Sequence, residues 1–297
     1  SVSSGGIVMR KNRIGSAFNR VFFALIPFVI LHAPVLAMDT PDSKTITGAG
    51  EHFSWVILDE LKPNLERKYG RIIKLFGKES MLGAGCSKGV KKAKENGPGH
   101  ETFGFVCCPL SQEEIQKEGL TVHPLALEAM LILVNKSNPV EDIPIEKVRA
   151  IFRGEIVNWK EVGGEDKPIV LVMRPHCPDR PGHWKTIVPS LDQLRKDRLD
   201  VKSEAEEVQR VSDFAEGIGN IGATFIFSPD QKVKVIKVSG LAPTAENLKS
   251  GKYPFTQELS IVTHGELSTE LAGIIKEVQT GQAFKEVGKK YELVPRN

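Results

Sequence analysis

From Lys44 onward the chain alternates short apolar runs with segments of helical period, and glycine stands at the junctions between them. Alternation of this kind confines a chain to the α/β class, because strands and amphipathic helices in succession bury their apolar faces as a largely parallel, helix-covered sheet. KTITGAG (44–50) reads as a strand ending in glycines. SWVILDELKPNLERKYG then carries Trp55, Leu58 and Leu61 at helical spacing, with Gly70 as its stop. RIIKLFG is a strand, and GAGCSKG leads into the basic helix VKKAKEN. ETFGFVCCPL is a strand, SQEEIQKEG a capped helix, and LTVHPLALEAMLILVN a long apolar strand pair. PIEKVRAIFRGEIVNWKEVGG predicts a helix and a turn, and PIVLVMR a buried strand. DQLRKDRLDVKSEAEEVQRVSDFAEG reads as charged and helical, and NIGATFIF as a strand. YPFTQELSIVTHG is a last strand before one C-terminal helix, ELAGIIKEVQTGQAFKEVGKKY.

The segment before this pattern has another character. Met9, Arg10, Lys11, Arg13 and Arg20 form a basic stretch, Val21 to Leu36 is apolar but broken by Pro27 and Pro34, and Val35-Leu36-Ala37 ends it with compact residues. That order is a secretory signal, with cleavage after residue 37, and it predicts export to the periplasm. The run is shorter than the ~20 apolar residues that a spanning helix needs. Removing residues 1–37 takes four of the 40 Lys and Arg side chains and none of the 37 acidic ones, leaving a balance of −1. Without a basic excess, a nucleic-acid partner loses its electrostatic basis. At 297 residues, 40% hydrophobic and 26% charged, the chain has material for one large or two ordinary domains, and global disorder is excluded. All four cysteines, Cys86, Cys107, Cys108 and Cys177, follow the signal, so an oxidising compartment permits disulfides, and three pairings stay open.

Three strand-to-helix junctions carry chemistry: Gly48-Ala49-Gly50-Glu51-His52-Phe53, Gly85-Cys86-Ser87-Lys88-Gly89 and Pro181-Gly182-His183. A helix start presents unpaired N–H groups and a partial positive charge, and glycine lets the backbone approach a ligand, so the three together predict anion binding. None matches the phosphate loop of nucleotide hydrolases.

On ITGAG, ILVNKSNPV, VRAIFRGEIVNWKEVGG, IVLVMRP, NIGATFIF and PTAENLKSGKYPFTQELSIVTHGE, in that order, the chain resembles the phosphate-specific branch of the periplasmic substrate-binding proteins. The resemblance implies the two-lobed α/β fold of type 2 periplasmic binding proteins, with a ligand cleft between the lobes and two hinge strands, LEAMLILVN and YPFTQELSIV. Lobe 1 would comprise residues 38–130 and 258–297, and lobe 2 residues 131–257. It also implies a monomer that closes on a small oxyanion by hinge motion and delivers it to the membrane subunits of an ABC transporter or to a sensor.

That family holds phosphate with an Ala-Thr-Phe turn, a serine in the second glycine loop, an aspartate, an arginine and a Ser-Gly-Thr turn. Carried over position by position, the threonine becomes His52 while Phe53 is kept, and the second loop offers Cys86 and Ser87. A Ser-Asp pair becomes Cys107-Cys108, which removes the aspartate and predicts tolerance of a fully ionised anion such as sulfate. Arg174 survives, and Ser-Gly-Thr becomes Pro181-Gly182-His183 after an inserted His176-Cys177-Pro178. The expected oxyanion site is therefore His52, Phe53, Cys86, Ser87, Cys108, Arg174, Gly182 and His183, with no cofactor. Arg174 supplies a bidentate fork. The substitutions also have a direction, from hydroxyls and a carboxylate toward imidazoles and thiols. His52, Cys86, Cys107, Cys108, His176, Cys177 and His183 make the alternative, a transition-metal or haem site on the same scaffold. Cys86 at a helix start also invites a thiolate-nucleophile reading. No motif places a general base beside it, and the chain is read as a binding protein rather than an enzyme.

Overall fold

A computed structural model describes residues 44–76 and 85–296. The predicted signal, residues 1–37, lies outside them. The first part alternates strands and helices: β1 (Thr45–Gly50), α1 (Phe53–Tyr69), β2 (Ile72–Phe76), α2 (Cys86–Lys94), β3 (Glu101–Val106), α3 (Gln112–Glu118) and β4 (Leu120–Asn135). Next come β5 (Asp142–Ile143), α4 (Ile145–Arg153), β6 (Val170–Met173), β7 (Leu199–Asp200), α5 (Glu204–Asp213) and β8 (Gly217–Gly222). The chain finishes with β9 (Val233–Val235), β10 (Lys237–Val238), α6 (Ala245–Lys249), β11 (Thr256–His264), α7 (Thr269–Thr280), α8 (Gln282–Lys290) and β12 (Val294–Pro295). Among the described residues no helix is long and apolar enough to cross a membrane.

Eight strands run in the order β2-β1-β3-β11-β4-β8-β6-β7. The outer strands pair in parallel, as the alternation predicts, but β11 and β4 run antiparallel to their neighbours through the middle, so the sheet is mixed. β4 feeds both of the hydrophobic cores, whereas β11 adds Leu259, Ile261 and Val262 to one of them. One core gathers residues from Ile46 to Ala126 and from Leu259 to Leu293, and the other runs from Ala129 to Phe255.

Local sequence explains most of the element ends. In α1, Phe53, Ile57, Leu58, Leu61 and Leu65 form the buried stripe, and Gly70 closes the helix in the left-handed conformation at φ 63°. Ser111 caps α3 by accepting from the Glu114 amide at 3.0 Å. The second core is centred on Trp159 and Trp184, both almost fully enclosed. Close backbone contact places α2: a Cβ on Gly104 of β3 would lie 2.0 Å from the carbonyl oxygen of Gly89. Only glycine permits that approach, and it seats the start of α2 at the mouth of β3.

Four sequence expectations are corrected. The expected strand pair over 120–135 is one continuous strand. Pro124 is accommodated by a bulge in β4 itself, where Leu125 is skipped as the pairing passes from Leu259 to Ser260 of β11. The expected long helix across 192–217 is helical only at α5, because Ser203 caps there and Leu199–Asp200 is drawn into the sheet beside β6. NIGATFIF leaves the sheet after Gly222, where the Thr224 amide and hydroxyl bind Glu128 instead. The C-terminal helix is two helices that part at Gly281, whose ψ of 149° is extended.

Candidate functional site

Four strands end at one place. β1 ends at Gly50 and delivers Glu51 and His52, and β3 ends at Val106 and delivers Cys107 and Cys108. β6 ends at Met173 and delivers Arg174, and β8 ends at Gly222, ahead of Thr224. Three helix starts join them: α1 at Phe53, α2 at Cys86 and α5 at Glu204. The carboxyl ends of strands and the amino ends of helices are where open α/β sheets bind ligands. Gly50 sits at φ 146°, and a Cβ there would lie 2.2 Å from the Phe105 carbonyl oxygen, so glycine is required for this turn.

The charged centre is a quartet drawn from both cores. Arg174 forms a short ion pair with Glu204 through Nη1, lies 3.6 Å from a Glu51 oxygen, and donates from Nε to the Lys202 carbonyl at 3.2 Å. His52 Nδ1 stands 3.6 Å from Glu204, and its Nε2 is 3.1 Å from the carbonyl oxygen of Thr224. Glu51 accepts from the Cys86 amide at 3.1 Å and faces the Cys86 thiol at 3.7 Å, so a carboxylate of the protein occupies the start of α2. Burial alone would favour neutral His52. The charge and hydrogen bond of Glu204, with Glu51 and Glu128 behind it, outweigh burial and raise its pKa to about 9. Burial likewise opposes the charge on Arg174 and on Glu204, yet Glu204 and Glu51 raise the former, and His52 and Arg174 lower the latter. His52 and Arg174 therefore face an ionised Glu204, with the Glu51 carboxyl group beside them.

Two further buried carboxyls flank the quartet. Glu128 on β4 accepts from the Thr224 amide and hydroxyl and from Gln257, and Glu207 accepts from the Asn220 amide at 2.9 Å. Burial raises the pKa of both, only partly offset by those hydrogen bonds. An apolar recess of about 270 Å³ opens against His52 and Glu204, walled by Trp55, Val56, Phe225 and Ile226.

Beside the quartet lies a group of free thiols. Cys86 and Cys107 have their sulfurs 3.6 Å apart, Cys107 and Cys108 4.0 Å, and Cys108 Sγ stands 3.7 Å from His176 Nδ1. The sulfurs of Cys86, Cys108 and Cys177 all lie within 4.8 Å of one another. Cys177 (φ 46°) and His183 (φ 53°) adopt the left-handed backbone that side chains other than glycine rarely take. The thiolate reading that a helix start invites at Cys86 finds no support in its surroundings. Burial raises that thiol well above its ordinary pKa, whereas hydrogen bonds from Cys108 and Cys86, with His176 nearby, hold Cys177 far below its own.

The residues singled out in sequence therefore fall into separate groups. Arg174 and His52 meet across the quartet, whereas Cys86, Cys107, Cys108, Cys177 and His176 form the thiol group. His52 is thus parted from the other candidate metal ligands. His183 is buried, stacks edge-on against His176 with ring centres 4.2 Å apart, and is kept neutral chiefly by burial. The Phe53 ring packs edge-on against Phe105 in the core, which leaves only its backbone for the mouth of the site. Ser87 is exposed on the first turn of α2, and Gly182, at φ 81°, opens the 3-10 turn that begins at His183. Sequence reasoning misses Glu51, Glu128, Glu204 and Thr224. Glu51 lies inside a junction already singled out, and Ser203-Glu204 has the look of a helix cap. Their convergence is set by long-range folding, which no local spacing announces.

Comparison with known proteins follows this geometry. Residues 39–180 match the family described as "PBP superfamily domain". The phosphate-binding protein PstS of Bacillus subtilis (strain 168) is 33% identical over 168 residues, covering 56% of this chain and 53% of that protein. Its namesake from Borreliella burgdorferi is 30% identical over 166 residues, covering 52% of this chain and 58% of that protein. The chain thus spans a little over half the length of these curated relatives. Among solved structures, a putative phosphate ABC transporter substrate-binding protein with bound phosphate from Clostridium perfringens superposes with TM-score 0.70 at 23% identity, covering 85% of this chain and all of that one. An ABC-type phosphate transport receptor from Vibrio cholerae gives 0.61 at 22% identity, covering 84% and 99%. The fold is that of these two-lobed binding proteins, and in sequence residues 39–180 are similar to the PBP superfamily domain.

Proposed function

We propose that this chain is an exported solute-binding protein that takes a phosphate-like oxyanion at the mouth of its sheet and passes it to an ABC transporter. The observation that carries the reading is the meeting of Arg174 with three helix starts at the carboxyl ends of strands from both cores. The printed functions of the curated relatives support the same reading. Arg174 supplies a bidentate fork, and protonated His52 supplies a second cation. The amides at Phe53, Ser87 and Gly182–His183 supply uncharged donors. Glu51 takes the part of the acceptor that the resemblance finds missing at Cys107-Cys108. A carboxylate beside the anion accepts from a P–OH and repels a fully ionised oxyanion, so hydrogen phosphate is preferred over sulfate. The chain binds and releases its solute as a monomer and without turnover.

Calorimetric titration of phosphate and sulfate into the full chain tests this. One phosphate per chain is expected, with sulfate weaker, and the preference shrinks in Glu51→Gln. Arg174→Ala should lose at least tenfold in affinity, about 1.4 kcal/mol, with circular dichroism checking its fold. No heat from phosphate in the folded wild-type chain refutes the reading.

A further inference from the structure

We propose that Cys86, Cys108 and Cys177, with His176, form a binding site for one thiophilic divalent ion of the zinc type, beside the oxyanion site and distinct from it. Three sulfurs and an imidazole are an established tetrahedral donor set for zinc.

The spacing fits that set. With Zn–S near 2.3 Å and Zn–N near 2.0 Å, tetrahedral geometry puts neighbouring sulfurs about 3.8 Å apart and a sulfur and nitrogen about 3.6 Å apart. The three sulfurs lie within 4.8 Å of one another, and His176 Nδ1 is 3.7 Å from Cys108 Sγ. Their separations also exceed a disulfide bond, and all four cysteines are free. Cys86 and Cys108 come from two strand-to-helix turns of the first core, fixed by the Gly89–Gly104 contact, while Cys177 and His176 come from the loop after β6. The ion would therefore tie that loop to the first core.

The loop is held for this purpose. Cys177 keeps a left-handed backbone, which costs energy and persists only where its surroundings enforce it. Lys185 donates to the Cys177 carbonyl at 2.5 Å, and the Trp184 indole donates to the His176 carbonyl at 2.9 Å. His176 Nε2 is buried and has no hydrogen-bond partner among the described residues.

Charge balances without a redox step. The ion accepts an electron pair from each of three sulfurs and from the neutral imidazole, and each thiol that enters as S–H releases its proton to solvent. A divalent ion with three thiolates carries one negative charge. Lys185 stands beside the loop, and Arg180, whose Nη1 lies 4.0 Å from Cys177 Sγ, is itself shared with Glu114. His176 groups with Cys107 and Cys108, so it completes the set through Cys108, and Cys107, 3.6 Å from Cys86 and 4.0 Å from Cys108, is assigned as the neighbouring thiol outside the set.

The test titrates Co²⁺, then Zn²⁺, into the reduced, metal-free full chain under nitrogen, with phosphate titrations run in parallel on the zinc-loaded and metal-free protein. One Co²⁺ per chain is expected, with an intense tetrahedral ligand-field spectrum and a thiolate charge-transfer band that Zn²⁺ abolishes. Cys177→Ser and Cys86→Ser should each lose more than the ten- to hundredfold that loss of an outer partner costs, while Cys107→Ser keeps the site. If a variant does not fold, protection of wild-type thiols from alkylation by Zn²⁺, mapped to Cys86, Cys108 and Cys177, decides instead. No uptake at micromolar metal, an octahedral spectrum, or uptake indifferent to Cys177→Ser overturns the proposal. The phosphate result stands or falls independently of each.

Discussion

Replacing His52 by glutamine keeps groups able to reach Glu204 and the Thr224 carbonyl but removes the cation. The folded pKa of His52 is about 9 against an ordinary 6.5, a gap worth about 3 kcal/mol of stability. Because the folded pKa is the higher, the native state holds more protons than the unfolded state between these limits. Unfolding free energy then falls as pH rises, by up to about 1.4 kcal/mol per unit. The contribution is whole below pH 6.5 and gone above about 9. Urea unfolding of wild type and His52→Gln at a series of pH values from 6 to 10 reads the difference directly. The two should differ by about 3 kcal/mol at pH 6 and converge above pH 9. Parallel curves, or a gap that widens with pH, would refute the assignment of a protonated His52 held by Glu204.

Three other perturbations follow from the same structure. Glu207 is buried with a raised pKa, so Glu207→Gln should leave stability at neutral pH unchanged or higher. It should also remove a decline that the wild type shows as pH climbs from 4.5, measurable in the same urea series. Gly104→Ala drives a methyl into the Gly89 carbonyl, and a loss of about 1–3 kcal/mol or more is expected by thermal melting, with faster thiol alkylation as α2 shifts. Trp159→Ala empties the middle of the second core and also deletes the indole bond to the Glu216 carbonyl. It should cost about 3–5 kcal/mol in chemical denaturation.

The backbone of the site is legible in the sequence because glycine marks it. Gly50, Gly85 and Gly182 each stand before a helical turn, and each takes a positive φ there. Arg174 follows a run of four strand residues and is equally plain. Side-chain partnership is another matter. Glu51 and Glu204 lie far apart in sequence, and their shared hold on Arg174 depends on β1 and β6 ending at one place. The state of the thiols is hidden from sequence for a related reason. A helix start favours a thiolate, but Cys86 is enclosed and already faces the Glu51 carboxylate, so burial and like charge win. In the fold, β4 continues past Pro124 because one extra residue, Leu125, is taken up as a bulge in its pairing with β11. Gly281 was readable as a helix end and was passed over because apolar periodicity continues on both sides.

On the proposed oxyanion reading, the double grip on Arg174 would also set how strongly an entering anion must bind. An anion arriving there meets a guanidinium already engaged by Glu204 and Glu51, and it has to compete with carboxylates fixed at very high local concentration. If only one molecule in a hundred offers a disengaged guanidinium, every anion loses about a hundredfold in apparent affinity. Abundant weak binders such as chloride or acetate are then turned away without any steric gate. The penalty is common to all anions, so it sets a threshold of affinity rather than a preference: only an anion whose own contacts exceed it is retained.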